Sequence, residues 1–340
     1  MSSRLTDVCV IGDGPAGVAT ALRLAQCGRH VILLHRTRQT PRWGGESFTG
    51  AIRDPLIQLG GWPRFLTAGH VSGYECRTQW GAQAREDNSL FRRDGHLWHV
   101  DRARFDEDLR ETAREQGVSM SAYRTFNAAH NRESTRTWTL RLDDTRVIQA
   151  AVLVDATGRS RALARRLGVH AQSYDRLIAY TAALPRNANP DYGHTMVLET
   201  TPDGWWYAAP VPSGHILAFF TDHDLMPKTL PASMHAVAAN SAYAQSPAGT
   251  AWITVGDACA AHDPLCGWGV HRALTNGIRA AEAIDQDLRH GTTMALDDYR
   301  HHCRQQFDAY LDGLITNYRL EDRWATPFWR RRTERQLLFT

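Results

Sequence analysis

Residues 7–36, DVCVIGDGPAGVATALRLAQCGRHVILLHR, constrain this chain more than any other stretch. An apolar run over 8–11 predicts a strand that feeds Gly12-Asp13-Gly14-Pro15-Ala16-Gly17. A helix to about residue 26 follows, Gly28 ends it, and 31–34 predicts a second strand. Strand, G-x-G-x-x-G and helix in that order predict a dinucleotide-binding unit. Gly12 makes the tight turn, Gly14 lets a pyrophosphate approach the backbone, and Gly17 lets helix and strand pack closely. The anion would rest on the free N–H groups of the helix start, around Pro15 and Ala16. The usual acidic partner of the ribose hydroxyls belongs at the end of the second strand, about 20 residues past the glycines. His35 and Arg36 stand there instead. A histidine can still hydrogen-bond a hydroxyl, and an arginine can favour a phosphate.

A chain of 340 residues is long enough for two domains. Apolar residues make up 43% and charged ones 22%, an ordinary globular mixture, and a net charge of +3 gives no ground for a nucleic-acid partner. Lys228 is the only lysine; arginine supplies the remaining cationic side chains. Cys9, Cys27, Cys76, Cys259, Cys266 and Cys303 lack C-x-x-C spacing, which predicts reduced thiols rather than disulfides or zinc. His301, His302 and Cys303 diverge around a helix and so predict no metal site. The start of the chain lacks the pattern of a signal peptide, and no apolar run reaches the roughly 20 residues that span a bilayer, so a cytoplasmic protein without a membrane partner is expected.

Further along, periodicity predicts helix within 50–70, short strands over 73–100, and a helix from 101 to about 116. Strands at 138–142 and 147–154 end in Asp155-Ala156-Thr157-Gly158-Arg159-Ser160. Four strands between 175 and 222, joined by turn sequences without helices, predict an antiparallel sheet. Residues 225–250 read as a short helix and loop, 251–255 as a buried strand, and 268–290 and 296–322 as helices before an Arg/Trp-rich tail.

Three distant segments form a constellation: the first glycine turn, Asp155-Ala156-Thr157-Gly158, and Gly256-Asp257-Ala258 followed by Asp263-Pro264-Leu265-Cys266-Gly267-Trp268-Gly269. In this order they resemble the FAD-dependent aromatic hydroxylase and flavin-dependent halogenase superfamily. The resemblance implies noncovalent FAD, with Asp257 beside Gly256 on the ribityl chain. Pro264, Gly267, Gly269 and Val270 would lie against the isoalloxazine at a helix N-terminus, and Gly158 in the second turn. Such a terminus suits the negative charge of reduced flavin. Arg102, in the run D-R-x-x-F-D, matches an FAD-contacting arginine; its alternative is a solvated first-turn arginine.

Gly45-Glu46-Ser47, Gly204-Trp205-Trp206-Tyr207-Ala208-Ala209-Pro210, Ala218-Phe219-Phe220-Thr221-Asp222 and the tail from Arg323 to Arg332 narrow the resemblance. It is nearest to halogenase-like flavoproteins needed for cysteine tryptophylquinone biogenesis, and covers nearly the whole chain. Two departures separate the chemistries. The halogenase segment W-x-W-x-I-P becomes Trp206-Tyr207-Ala208-Ala209-Pro210, and the essential halogenase lysine is missing, because Lys228 lies in a Pro-flanked loop. The segment 224–251 is also shorter than in relatives.

The resulting expectation is an α/β flavoprotein: a doubly wound, Rossmann-type FAD domain (1–40, 97–165, 250–290), an inserted antiparallel substrate domain (41–96, 166–249) and a C-terminal helical segment (291–340). It would act as a monooxygenase on an aromatic group, such as an indole in a small molecule or a peptide, through a flavin hydroperoxide. NAD(P)H or a separate flavin reductase would supply electrons. The alternatives are a halogenase with rearranged groups and a catalytically weak FAD-binding accessory protein. Candidate catalytic residues are Glu46, as a base or a helix cap; Trp206, as cavity wall or sheet core; and His99, as acid or base or a structural histidine. Cys266 is a candidate flavin modulator, and the tail either packs onto the FAD domain or docks a partner.

Overall fold

The computed structural model describes residues 4–37, 45–88, 94–131, 137–143, 145–185, 187, 195–231 and 233–333. At its centre Arg4–Ile11 lies between Val31–Arg36 and Val147–Asp155, parallel to both. Ser119–Tyr123 extends the parallel sheet beyond Val31–Arg36, and Trp252–Thr254 extends it beyond Val147–Asp155. Val8, Cys9, Val10 and Ile11 are wholly buried, as befits a central parallel strand covered on both faces. One face carries Val8 and Val10 and packs on the helices Pro15–Gln26 and Gly269–His290; the other carries Cys9 and Ile11 and packs on the hairpin Phe126–Asn131/Thr137–Leu142 and the short helix Ala162–Arg166. The two helices meet closely because Gly277 has no side chain: a Cβ there would lie 2.5 Å from the carbonyl oxygen of Ala16.

A second sheet runs in the order His235–Ala238, Leu177–Leu184, Gly214–Asp222, Gly204–Val211, Met196–Thr201, Glu75–Gln79, Ala84–Asn88. It is antiparallel as expected except at one junction, where Met196–Thr201 pairs parallel with Glu75–Gln79. Between the two large sheets sits a three-stranded one formed by Gly45–Phe48, Leu97–Asp101 and Val71–Gly73. Phe48, Ile52, Leu56, Leu59 and Phe65 pack into the core of the parallel-sheet side.

Two further expectations are corrected. Residues 225–250 are short strand pieces, His235–Ala238, Ala242–Ala244 and Ala248–Gly249, rather than helix and loop. The tail folds as the helix Pro327–Thr333 and packs on the antiparallel sheet rather than the parallel-sheet side: Phe328 and Trp329 join Leu177, Trp205 and Phe220 in one buried cluster. Among the described residues, no helix is long and apolar enough to cross a membrane.

Candidate active site

The three turns that are distant in the sequence meet. Gly12 has φ +116°, and a Cβ on it would lie 2.2 Å from the carbonyl oxygen of Ala156. One on Gly17 would lie 2.0 Å from the oxygen of Gly12, and one on Gly256 would lie 2.6 Å from the Cβ of Ala16. Contacts under 3 Å of this kind leave no room for a side chain, so each turn depends on its glycine. Gly14 is the N-cap and Pro15 opens the helix; no side chain caps this end and the first turn holds no acid. Its N–H groups are therefore oriented for an anion. Buried Asp155 fixes the second turn by accepting hydrogen bonds from the Thr157 N–H (3.0 Å), the Leu163 N–H (3.0 Å) and the Ala164 N–H (2.8 Å).

Arg159, in that second turn, reaches the third. It donates to Asn240 O (2.6 Å) and His262 O (3.3 Å), and its Nε lies 3.6 Å from Asp257 Oδ2. Gly158, Gly267 and Gly269 face open space, and Pro264 is exposed, while Val270 is buried under the helix start. A cavity of about 380 Å³ runs along Gly269–His290 and is lined by Gly256, Asp257, Gly269, Arg272 and Asn276 among others. His35 and Arg36 close the carboxyl end of the second strand, half-buried and exposed respectively. Ligands of doubly wound sheets bind at this end of the strands.

Beside the turns lies a compact polar cluster. Arg102 opens the helix Arg102–Glu115, donates to Glu46 Oε1 (2.5 Å) and, on its other side, to Asp106 Oδ1 (3.2 Å). Burial works against its charge, but the two carboxylates prevail and hold the guanidinium above its usual value. Its Nε is buried and has no protein hydrogen-bond partner among the described residues. Next in the strand, Ser47 Oγ lies 2.7 Å from His99 Nδ1 and accepts a hydrogen bond from the Tyr207 hydroxyl at 2.8 Å. His99 is fully buried and is packed edge-on against Gly73, where a Cβ would lie 2.2 Å from its Nε2. Burial pushes the Tyr207 phenol well above its ordinary value, so its proton is retained.

Residues 58–338 match the sequence model of the tryptophan halogenase family. The chain belongs to that family. It is 26% identical to the putative FAD-dependent oxidoreductase LodB of Marinomonas mediterranea over 96% of each chain, and 24% identical to the tryptophan 2-halogenase of Chondromyces crocatus over 95% of this chain and 70% of that protein. Its fold is shared with the flavin-dependent halogenase CmlS (TM-score 0.82, 22% identity, 98% of this chain and 68% of that one). It is shared also with QhpG, a peptidyl tryptophan dihydroxylase essential for tryptophylquinone cofactor biogenesis (TM-score 0.76, 24% identity, 98% and 80%). The protein is thus an enzyme, a halogenase-family FAD-dependent oxidoreductase.

The residues fit FAD on three counts: glycine turns that a Cβ would fill, a helix start without a competing acid, and a buried Arg102 Nε with hydrogen-bonding capacity to spare. Of the candidate catalytic residues in this tryptophan halogenase family member, Glu46 is ion-paired with Arg102 rather than capping a helix. His99 sits beneath the surface of the site, joined to it through Ser47. Trp206 lies elsewhere: it is on the sheet face opposite Trp205 and Tyr207, against Phe219 at 4.7 Å. The face carrying Trp205 and Tyr207 is the one that packs with Leu265 of the glycine-rich loop.

Ser47, Arg159 and Asp263 have no role of their own in the sequence reading, and Tyr207 only a place on a strand that would line the cavity with one face. Asp263 is buried at the start of that loop, where it accepts from the Leu265 N–H (2.8 Å) and the Tyr318 hydroxyl (2.7 Å). Its own N–H donates to Tyr310 OH (2.6 Å), and Tyr318 in turn accepts from Trp205 Nε1 (3.3 Å). Burial, followed by the charge of Asp175, pushes the Asp263 carboxyl up to about 7. Burial also raises the Cys266 thiol, which keeps it protonated and weakly nucleophilic.

Proposed function

We propose that this enzyme is an FAD-dependent monooxygenase acting on an aromatic group, with an indole carried by a peptide as the favoured substrate. The observation that carries this reading is the hydroxyl–imidazole chain Tyr207–Ser47–His99 beside the Glu46–Arg102 pair, in a chain whose single lysine, Lys228, is exposed in a turn. Bound FAD, once reduced, would supply activated dioxygen at Pro264, Gly267, Gly269 and Val270. Arg102 would hold the cofactor and orient Glu46, and Glu46 would accept the proton of a substrate hydroxyl or indole N–H. Tyr207 would hold a polar substrate atom at the sheet face, passing a proton along Ser47 to buried His99. Leu265, with buried Trp205 packed behind it, would supply apolar wall and exclude water. The peptidyl substrate is supported by the relatives that act on carrier- or peptide-bound groups: the 1H-pyrrole-2-carbonyl-[peptidyl-carrier protein] brominase of Pseudoalteromonas luteoviolacea and QhpG.

Electrons would come from NAD(P)H visiting transiently or from a separate reductase, since the chain has one dinucleotide fingerprint and FAD would occupy it. The test supplies FAD, NADH, a flavin reductase, oxygen and a tryptophan-containing peptide in chloride and bromide buffers. A product heavier by one or two oxygen atoms, labelled from ¹⁸O₂, is the expected outcome. A halogenated product instead would establish the halogenase reading.

A further inference from the structure

The loop 264–269 leads into the helix Gly269–His290, and packing holds little of it. Pro264, Gly267 and Gly269 are exposed, Gly267 has φ +63°, and a Cβ on either glycine would meet open space. A glycine-rich segment loses more conformational freedom on ordering than any other, so its position has to be imposed from outside. Asp263 is the point at which that happens. Its carbonyl oxygen accepts from the Cys266 N–H (3.2 Å) and its Oδ1 from the Leu265 N–H (2.8 Å), which fixes the turn Pro264–Cys266. Two hydroxyls of one helix, Met294–Tyr318, hold Asp263 from the other side: Tyr310 at its N–H and Tyr318 at its Oδ2.

Chemistry sets the direction of these bonds. An indole N–H only donates, so Trp205 Nε1, at 3.3 Å, takes a lone pair of the Tyr318 oxygen and leaves the Tyr318 proton for Asp263. The Asp263 N–H likewise only donates, which leaves the Tyr310 proton for Ser241 Oγ at 2.8 Å. Burial raises both phenols well above their ordinary value, so neither gives up its proton.

We propose that Asp263 is a positioning residue for the flavin, holding the loop 264–269 to the helix Met294–Tyr318, and that the Tyr318 hydroxyl is the anchor on which its hold depends. Without that hydroxyl, Oδ2 loses its donor and Trp205 Nε1 its acceptor. The ring would still pack beside Phe328 and Trp329, whose centroids lie 6.4 and 5.9 Å away. The loop therefore loosens while the tail keeps its packing. The contact between this loop and flavin rests on the proposed function; the anchoring of the loop does not.

Hydrogen–deuterium exchange on the full chain, with and without FAD, tests the anchoring, and a flavin titration of the same preparations tests its effect. In Tyr318→Phe the peptide covering 263–270 should exchange about tenfold faster, the scale of one lost hydrogen bond, with Pro327–Thr333 at the parent rate. The Kd for FAD should rise about tenfold as well, and the visible absorption band of the bound flavin should shift. Asp263→Asn keeps an oxygen for the Leu265 N–H and should stay within about twofold of the parent on both measures, whereas Asp263→Ala should lose at least as much as Tyr318→Phe. Should Asp263→Ala fail to fold, Tyr318→Phe, which keeps its ring, still decides.

Unchanged loop exchange in Tyr318→Phe would overturn the anchoring, and equal acceleration in Pro327–Thr333 would assign these bonds to packing of the tail instead. Faster loop exchange with the Kd and the band both unchanged would overturn the positioning of the flavin. If the parent binds no FAD, the proposed function fails, and exchange still decides the anchoring.

Discussion

A Tyr207→Phe substitution removes one oxygen from the polar chain and leaves the ring, so it separates chemistry from packing. With the 2.8 Å hydrogen bond to Ser47 gone, turnover should fall by about 10²-fold, the lower end of general acid–base contributions, with FAD affinity unchanged. Product formation and a flavin-fluorescence titration on the same preparation check this, and unaltered turnover would remove the chain from the mechanism. Asp263 makes a prediction in pH. Its folded carboxyl sits at about 7, above the unfolded value near 3.8, so the folded state binds the proton more tightly. Its stabilising contribution is full below the unfolded value and is lost as pH rises through the folded one. Asp263→Asn, which cannot ionise, should therefore gain in Tm relative to the parent between pH 5 and pH 8; parallel profiles would show that Asp263 does not titrate in this window. At this scale the sequence was readable where backbone dictates the residue, as at Gly12, Gly17 and Gly256. It was silent on side chains that meet only after folding: Arg102 with Glu46, and Ser47 with both His99 and Tyr207, because no local pattern records such pairings.

Secondary-structure elements were legible in proportion to their length and periodicity. The helices Pro15–Gln26 and Gly269–His290 and the strand Arg4–Ile11 announce themselves through apolar spacing bounded by glycine. The pieces Ala242–Ala244 and Ala248–Gly249 are too short to alternate; the first is settled by a distant partner, Ala171–Ser173, and the second by a tight turn onto Trp252–Thr254. The parallel junction of Met196–Thr201 with Glu75–Gln79 was hidden for the same reason. The tail helix carries its own test. Trp329 is 1% exposed and donates its indole N–H to Thr201 O at 2.8 Å, so Trp329→Ala should cost about 3–5 kcal/mol in denaturant unfolding. A loss below about 1 kcal/mol would mean that the cavity collapses or that the helix is held elsewhere.

In the whole molecule, the parallel sheet supplies three glycine turns, the small central sheet supplies Glu46, Ser47 and His99, and the antiparallel sheet supplies Tyr207. The polar cluster therefore exists only when all three sheets are assembled. The last of these sheets is unfinished without Pro327–Thr333, because Phe328 and Trp329 fill its inner layer. During synthesis the strands from Leu177 to Asp222 would leave the ribosome with an oily side bare and stay so until more than a hundred further residues had been made. A chain stalled or clipped before Trp329 would present that side to chaperones and to its own copies, and yield in the cell would then depend on how fast the stretch from Asp222 to Trp329 is translated as much as on the folded enzyme.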